Sequence, residues 1–310
     1  MNLSVIICTW NNSKRLLITL DSLSKCIVPD GTTWELVIVN NNCTDNTDNI
    51  VNKYKVELPI IYVKEPIQGL SRAKNAGLRV ARGQLIIFTD DDVTPCPEWI
   101  TTYWAAYQKN PTGYFWGGPV TSKFENPNVD KDLIDAVGDY AIKGFDSGEG
   151  AGEPADPKIR FISANWACPT EILRQLGGFD TDLGLNPASN RVRLGEETDL
   201  MNKLMENGWK RWYLPGARVL HFVPAHKCDL KYITARAKAY GRGNIRDFSF
   251  KKDRPRILGA PPLIYKILLM KGLSLVTSRL QGKKAYKKYL AWFYYLGIWE
   301  GFFLKYKQQK

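Results

Sequence analysis

The sequence predicts an α/β protein, with a Rossmann-like, mainly parallel sheet flanked by helices and a basic, aromatic-rich helical extension after it. Three observations predict it. Short apolar strands alternate with helix-length segments from Leu3 to Asp92, the pattern of right-handed β-α-β crossovers. The first, second and fourth of these strands run into loops rich in Asn or Asp. Charge is also split along the chain, with 20 Lys/Arg against 4 Asp/Glu from residue 226 to 310 and 23 against 27 before that point.

Leu3 to Cys8 is a short apolar run and reads as the first strand. The polar loop Thr9-Trp10-Asn11-Asn12-Ser13 follows and can cap a helix, which Leu16, Leu17, Leu20 and Leu23 continue at helical spacing. Trp34 to Val39 is the second strand, ending in Asn40-Asn41-Asn42-Cys43-Thr44-Asp45, a run of turn and cap formers. A helix through Ile50 and Tyr54 leads to the strand Ile60–Val63. Gly69-Leu70-Ser71 introduces a helix from about Arg72 to Arg82, with Gly83 as its expected stop. The fourth strand, Leu85-Ile86-Ile87-Phe88-Thr89, runs straight into Asp90-Asp91-Asp92. Consecutive carboxylates repel unless a cation or water takes up their charge. At the carboxyl end of a strand in an α/β sheet, where ligands bind, such a triplet is either an anchor for a divalent metal carrying phosphate oxygens or a solvated turn with Asp92 capping a helix. Thr9, Asn11, the Asn40 to Asp45 loop and the aspartates line one predicted crevice. Neither Gly-x-Gly-x-x-Gly after the first strand nor Gly-Lys-Ser/Thr is present, so a dinucleotide fingerprint and a P-loop are both excluded.

The second half is less regular. Gly117-Gly118 allows a ligand close to the backbone. Gly144 to Asp156 is Gly-rich and acidic and reads as a mobile surface loop, either an insertion or an acceptor-side lid. Leu176 to Asp180 is a turn. Glu196 and Glu197 open a helix with Leu200, Met201, Leu204 and Met205, ended by Gly208; acidic residues there complement the helix dipole whether or not they do chemistry. Val219-Leu220-His221-Phe222 is a short strand holding one of only two histidines. The six cysteines show no metal-ligand spacing, and Cys8 in a buried strand points to reduced thiols and a cytoplasmic setting. The opening apolar run is too short for a signal peptide, and no uncharged run is long enough to span a bilayer.

Taken together, the segments SVIICTWNN (4–12), ELVIVNNNCTD (35–45), GLSRAKNAGLRVARGQLIIFTDDD (69–92), GGPV (117–120), SANWACPTEILRQLGGFD (163–180), GEETDL (195–200) and PGARVLH (215–221) resemble the family-2 glycosyltransferases. The likeness runs over most of residues 1–225. It implies a GT-A fold, a Rossmann-like nucleotide-binding mixed sheet flanked by helices. A catalytic domain would then span 1–225, with a nucleotide-binding half at 1–92 and an acceptor half at 93–225. The resemblance further implies inverting transfer of a sugar from a nucleotide-sugar donor, UDP- or dTDP-linked, to a glycan or lipid-linked acceptor hydroxyl in polysaccharide biosynthesis. Thr9, Asn11, Asn40, Asn42 and Lys74, with Asn75, would lie about the nucleotide. Asp90-Asp91-Asp92 maps onto the Asp-x-Asp signature, with Asp90 and Asp91 on the nucleotide side and Asp92 on a Mn²⁺ or Mg²⁺ ion, which His221 also reaches. A leaving diphosphate needs such a Lewis acid. In-line displacement needs one base on the opposite face; Glu197 is the candidate, with Glu196 the alternative, because the family's Glu-Asp pair is Glu-Glu here. Asn40 stands where the family commonly has Asp; its amide oxygen can still accept from the N3–H of uracil or thymine. Gly118 and Trp166 would face acceptor or sugar, and Trp116 fills core. A nucleotidyltransferase, or a silent sugar-nucleotide-binding protein, is the alternative reading.

Residues 226–310 form the basic helical region. Arg236, Lys238, Arg242 and Arg246 give one helix a basic side, and Leu263 to Leu275 is an apolar run broken by Lys266 and Lys271. Tyr289 to Leu304 is mostly aromatic and aliphatic, flanked by Lys283, Lys284, Lys287, Lys288, Lys305 and Lys307. Such a helix suits an anionic headgroup layer at the inner face of the cell membrane, or packing on the catalytic domain or a partner. Its aromatics form one block rather than interleaving with a basic groove, so nucleic acid is not an expected partner.

Overall fold

The computed structural model describes residues 1–138, 140–186, 192–245, 256–280 and 284–308; Arg246 and Lys283 lie outside them. In chain order the elements are β1 (Leu3–Thr9), α1 (Ser13–Leu23), β2 (Trp34–Asn40), α2 (Thr47–Tyr54), β3 (Ile60–Lys64), α3 (Leu70–Val80), β4 (Leu85–Asp90), β5 (Val93–Pro95), α4 (Trp99–Lys109), β6 (Tyr114–Gly117) and β7 (Val120–Phe124). They continue with α5 (Lys131–Ala136), α6 (Tyr140–Lys143), β8 (Trp166–Pro169), α7 (Thr170–Gln175), α8 (Glu196–Glu206), β9 (Lys210–Tyr213), β10 (Val219–Val223), α9 (Leu230–Gly243), α10 (Pro262–Leu280) and α11 (Tyr286–Gln308).

The chain divides into two compact units. The first comprises Met1–Lys123, Gly144–Thr181 and Glu196–Phe222. Its main sheet has seven strands in the order β3-β2-β1-β4-β8-β6-β9, and β5, β10 and β7 make a smaller sheet of three. β1 pairs in parallel with both β2 and β4, and β2 with β3, as the alternation of strands and helices requires. β8 then runs antiparallel to β4 and β6, which makes the sheet mixed. β1, β2 and β4 are buried along nearly their whole length, and Leu16, Leu20 and Leu23 of α1 and Trp99 and Tyr103 of α4 pack into the same core. Gly83 is not a helix stop. α3 ends at Val80 because Ala81 turns to an extended conformation, and Gly83 is glycine because a Cβ would lie 2.4 Å from the backbone of Leu3 and Ser4. Ser4 and Arg82 meet Glu35 there: Ser4 Oγ donates to its carboxylate at 2.7 Å and Arg82 N at 2.6 Å.

The stretch Gly144 to Asp156 is anchored where a mobile loop was expected. Phe145 exchanges two backbone hydrogen bonds with Val120 at 2.7 and 2.8 Å, and Gly152 two with Tyr213 at 2.7 and 3.2 Å. Tyr213 Oη also donates to Asp146 at 2.6 Å. Backbone groups bonded at these points have no solvent-facing alternative to gain by moving.

The second unit comprises Val223–Lys310 together with two mid-chain segments, Phe124–Lys143 and Asp182–Gly195, which a division at 225 assigns to the catalytic half. The first segment belongs there through Leu133, Ile134, Val137 and Ile142, which share one buried cluster with Ile233 and Leu290, and the second through Leu194 N, which donates to Ala239 O at 3.2 Å. The aromatic run Tyr289–Leu304 lies within α11, and none of its residues is exposed. Gly297 and Gly301 let α11 approach α9 closely: a Cβ on Gly297 would sit 2.1 Å from the Lys238 carbonyl oxygen, and one on Gly301 would sit 3.0 Å from that of Arg242. Glu300 receives Lys238 at 2.6 Å and Arg242 at 2.9 Å. Two indoles donate to α10, Trp292 to Leu268 O and Trp299 to Tyr265 Oη. The run therefore packs one side within a helical assembly, with its Tyr and Trp residues half-buried. Among the described residues no helix is long and apolar enough to cross a membrane.

Candidate active site

The carboxyl ends of β1, β2 and β4 lie side by side, Thr9 opposite Asn40 and Cys8 opposite Asp90, so the polar loops after them meet as the crossover pattern predicts. The three aspartates diverge at the end of β4. Asp91 turns to the first loop and receives Asn12 Nδ2 at 2.7 Å. Asp90 receives Ser163 Oγ at 2.8 Å. Asp92 lies 3.2 Å from His221 Nε2, because β10 runs antiparallel to β5 immediately after it and Phe222 N donates to the Asp92 carbonyl at 2.9 Å.

One donor atom each from Asp90, Asp92 and His221 falls within 4.8 Å of the others. Asp92 and His221 were expected at a metal; Asp90, expected on the nucleoside side, joins them. Burial and then the charge of Asp92 push the Asp90 carboxyl up, and burial and Asp92 likewise push Asp91 up to about 7 against the hydrogen bond from Asn12. Two carboxylate oxygens and an imidazole nitrogen at this spacing suit a hard divalent cation, and the nitrogen suits Mn²⁺ better than Mg²⁺.

The nucleotide-side loops are built by side-chain bonding. Asn11 and Asn42 have positive φ of 51° and 67°, a conformation Asn adopts more readily than other non-glycine residues. Asn11 Oδ1 accepts from Thr44 N at 2.7 Å, tying the first loop to the second. Asn41 bridges Gly69 N and the carbonyls of Glu65 and Ile67. Asn40 donates both amide protons, to Asp48 at 3.0 Å and Tyr62 Oη at 2.6 Å, and accepts from Cys43 N at 2.7 Å.

Lys74 and Asn75 bond to the second half of the first unit, and the Lys74 charge also acts on Asp90, where it opposes the upward push on the carboxyl. Asn75 exchanges two hydrogen bonds with the backbone of Phe179, at 2.8 and 2.9 Å, fixing the turn after α7 against α3. Lys74 points to the first turn of α8, touching Glu197 and lying 3.5 Å from Glu196. The Lys74 and Glu196 side chains are 3% and 5% exposed and that of Glu197 14%, so Glu197 is the carboxylate on the open side.

Two expected acceptor residues are accounted for by packing. The Trp166 ring is fully buried, stacked on Phe88 at 4.9 Å and edge-on to Phe179, which leaves no face for a sugar. Gly118 is glycine because a Cβ would stand 2.1 Å from the Ala217 carbonyl oxygen, and Gly117 because it would meet the Phe161 ring at the same distance. Trp116 is buried as expected. The residue missed beside Trp166 is Asn165. Its amide accepts from Trp99 Nε1 at 2.8 Å and Tyr103 Oη at 2.7 Å, and donates to the carbonyls of Pro119 at 3.0 Å and Ala217 at 2.6 Å. Asn12 and Ser163, which position Asp91 and Asp90, were legible only as polar residues inside matching segments.

Comparison with known proteins agrees with this geometry. Residues 4–152 match the family model of glycosyl transferase family 2. The chain is 22% identical over 240 residues to the glucosyl-dolichyl phosphate glucuronosyltransferase of Haloferax volcanii, covering 76% of this chain and 74% of that protein. It is 35% identical over 94 residues to the poly(ribitol-phosphate) β-N-acetylglucosaminyltransferase TarS of Staphylococcus aureus, 30% of this chain but 16% of that protein's length. TarS residues 1–349 with UDP-GlcNAc superpose with a TM-score of 0.54 at 20% identity, over 81% of this chain and 74% of that one. The mannosyltransferase PcManGT from Pyrobaculum calidifontis, solved with GDP-Man and Mn²⁺, gives 0.62 at 19% identity over 98% and 88%. The chain has the GT-A fold of these solved glycosyltransferases, and its match to glycosyl transferase family 2 is carried by residues 4–152, just under half of its length.

Proposed function

We propose that this protein is an inverting, metal-dependent glycosyltransferase that moves a sugar from a UDP-sugar, or a dTDP-sugar, to a hydroxyl of a glycan or lipid-linked acceptor at an anionic membrane surface. The observation that carries it is the convergence of Asp90, Asp92 and His221 beside the Asn-rich loops that end β1 and β2. A divalent cation held by these three would neutralise the charge that develops on the leaving diphosphate. Relatives favour the same chemistry: PcManGT was solved with Mn²⁺, and TarS with UDP-GlcNAc. The Haloferax enzyme acts on a dolichyl phosphate-linked glucose, a lipid-linked acceptor that a chain with a basic tail would meet at a membrane.

Hydrogen bonding at Asn40 supports a uracil or thymine base. Asn40 has both amide protons engaged and one acceptor site on its oxygen still open. It can accept from a base N–H and cannot donate to a base carbonyl, which fits the N3–H of uracil or thymine. On the acceptor side, Glu197 is the candidate base. The hydroxyl oxygen attacks the anomeric carbon from the face opposite the diphosphate, its proton passes to the Glu197 carboxylate, and the sugar–phosphate bond breaks with inversion. Lys74 holds Glu197 in place until the acceptor arrives. The test is a thermal-shift panel of UDP-, dTDP- and GDP-sugars with and without Mn²⁺. A shift with a uridine or thymidine sugar that needs Mn²⁺ is expected; no shift with any diphospho-sugar would sink the proposal.

A further inference from the structure

Among the described residues of the second unit, α10 carries an uncovered apolar surface. α10 is apolar around most of its circumference, the composition of a helix with two buried sides. One side is covered within the unit: Ile264 lies in a buried cluster with Ile298 and Phe302, and Leu268 O and Tyr265 Oη accept the two indoles of α11. The other side carries Leu263, Leu269, Met270, Leu273, Val276 and Leu280, all between 43% and 83% exposed. At 100° per residue these six fall in one arc of about 140°, interrupted by Lys266 and Thr277. Leu269, Leu273, Val276 and Leu280 step by four, three and four, so they form a continuous ridge rather than scattered exposed residues.

Charge decides what covers this ridge. A second copy of the chain would bring together two regions that each carry 20 Lys/Arg against 4 Asp/Glu, and would set Lys266 of the ridge into an apolar seam. An anionic bilayer presents the opposite charge to the same residues, takes the leucines into its acyl boundary, and lets exposed Lys266 reach the headgroups. We infer that the outer face of α10, from Leu263 to Leu280, is the membrane-docking face, lying in the plane of an anionic lipid surface. This deepens the membrane part of the proposed function and rests on it, while moving the contact from the aromatic helix α11, which packs against α9 and α10, to α10.

The experiment is co-sedimentation of the full chain with vesicles of phosphatidylcholine alone and with phosphatidylglycerol added, at rising salt. The wild type is expected to bind the mixed vesicles at low salt and to be released as salt rises. The double variant Leu269→Ser/Leu273→Ser is expected to lose at least about tenfold in partition, with its melting temperature and its donor-induced thermal shift unchanged. Leu280→Ser, at the most exposed position, gives a smaller loss in the same direction and serves if the double variant folds poorly. Wild-type binding that both variants retain in full overturns the assignment of the face and leaves the membrane reading standing. Absence of wild-type binding at low salt overturns both. A concentration-dependent dimer that the variants disperse, without vesicle binding, overturns the inference in favour of a second copy.

Discussion

Replacing Lys74 by Met tests the charge balance around the candidate base. Its ammonium lies between Glu196 and Glu197, and all three side chains are buried or nearly so. Methionine keeps the apolar stem and removes the charge, leaving the two carboxylates facing one another without it. Removing one partner of a buried ion pair costs about 3–5 kcal/mol, because the charge left behind stays desolvated. Lys74→Met should therefore lower the unfolding free energy by that much, seen as a lower urea midpoint at constant m-value. The cost should be partly undone by a second change: Glu197→Gln in the Lys74→Met background removes one of the stranded charges and should recover about 1–3 kcal/mol, a coupling of opposite sign to a simple sum. Circular dichroism against urea for the four proteins of the cycle measures this directly. A Lys74→Met protein as stable as the wild type, or a double variant less stable than either single one, would refute the reasoning.

Further expectations follow from single sites. Asn165→Leu strands the hydrogen-bonding groups of Trp99, Tyr103, Pro119 and Ala217, at about 1–3 kcal/mol for each buried group left unsatisfied; a midpoint close to the wild type's contradicts its role as the hub beneath the site. Trp166→Ala empties the stack with Phe88 and Phe179 and should cost about 3–5 kcal/mol, with donor affinity in the folded fraction unchanged, whereas a sugar-stacking indole would show as a loss of affinity at near-normal stability. Burial raises the Glu35 carboxyl, but hydrogen bonds from Ser4 and Arg82 outweigh it and hold it below the ordinary value of 4.5. Since its folded value is depressed, Glu35 contributes stability above pH 4.5 that is lost as pH falls through the folded value. Glu35→Gln should therefore flatten the acid limb of the stability profile, and an unchanged limb counts against it. Glu197→Gln should abolish turnover while the Mn²⁺-dependent donor shift persists; full turnover removes Glu197 as the base.

The part of the fold legible in the sequence is the part with a strong local period. β1, β2 and β4 are continuous apolar runs because both faces of a central parallel strand are buried, and the loops after them are polar because ligand-facing crevices open there. Asp92 and His221 could be paired only through the family resemblance, since no spacing rule links residues so far apart; β10 brings them together by pairing with β5. What could not be read was which side of a residue faces what. Gly83, Gly117 and Gly118 are required by the backbone of Leu3 and Ser4, the Phe161 ring and the Ala217 carbonyl, all distant in sequence. Lys74 sits in a motif whose position suggested the nucleotide, yet the reach of its side chain from α3 takes it to α8. Lysines flanking the aromatics suited α11 to a lipid surface or to packing alike, and the glycines that seat it against α9, Gly297 and Gly301, are invisible to any hydropathy pattern. α10, with two lysines breaking its run, looked the less apolar of the pair and is the one with an uncovered face.

The central claim is that Asp90, Asp92 and His221 form one cation site serving a nucleoside diphosphate. Electron paramagnetic resonance of Mn²⁺ measures it without depending on turnover, because the six-line signal of free Mn²⁺ falls as the ion is bound. Wild-type protein with UDP should deplete that signal well beyond UDP alone, while Asp92→Asn and His221→Ala, folded by circular dichroism, should restore it. A signal that the wild type leaves untouched, or that both variants deplete equally, would contradict the site.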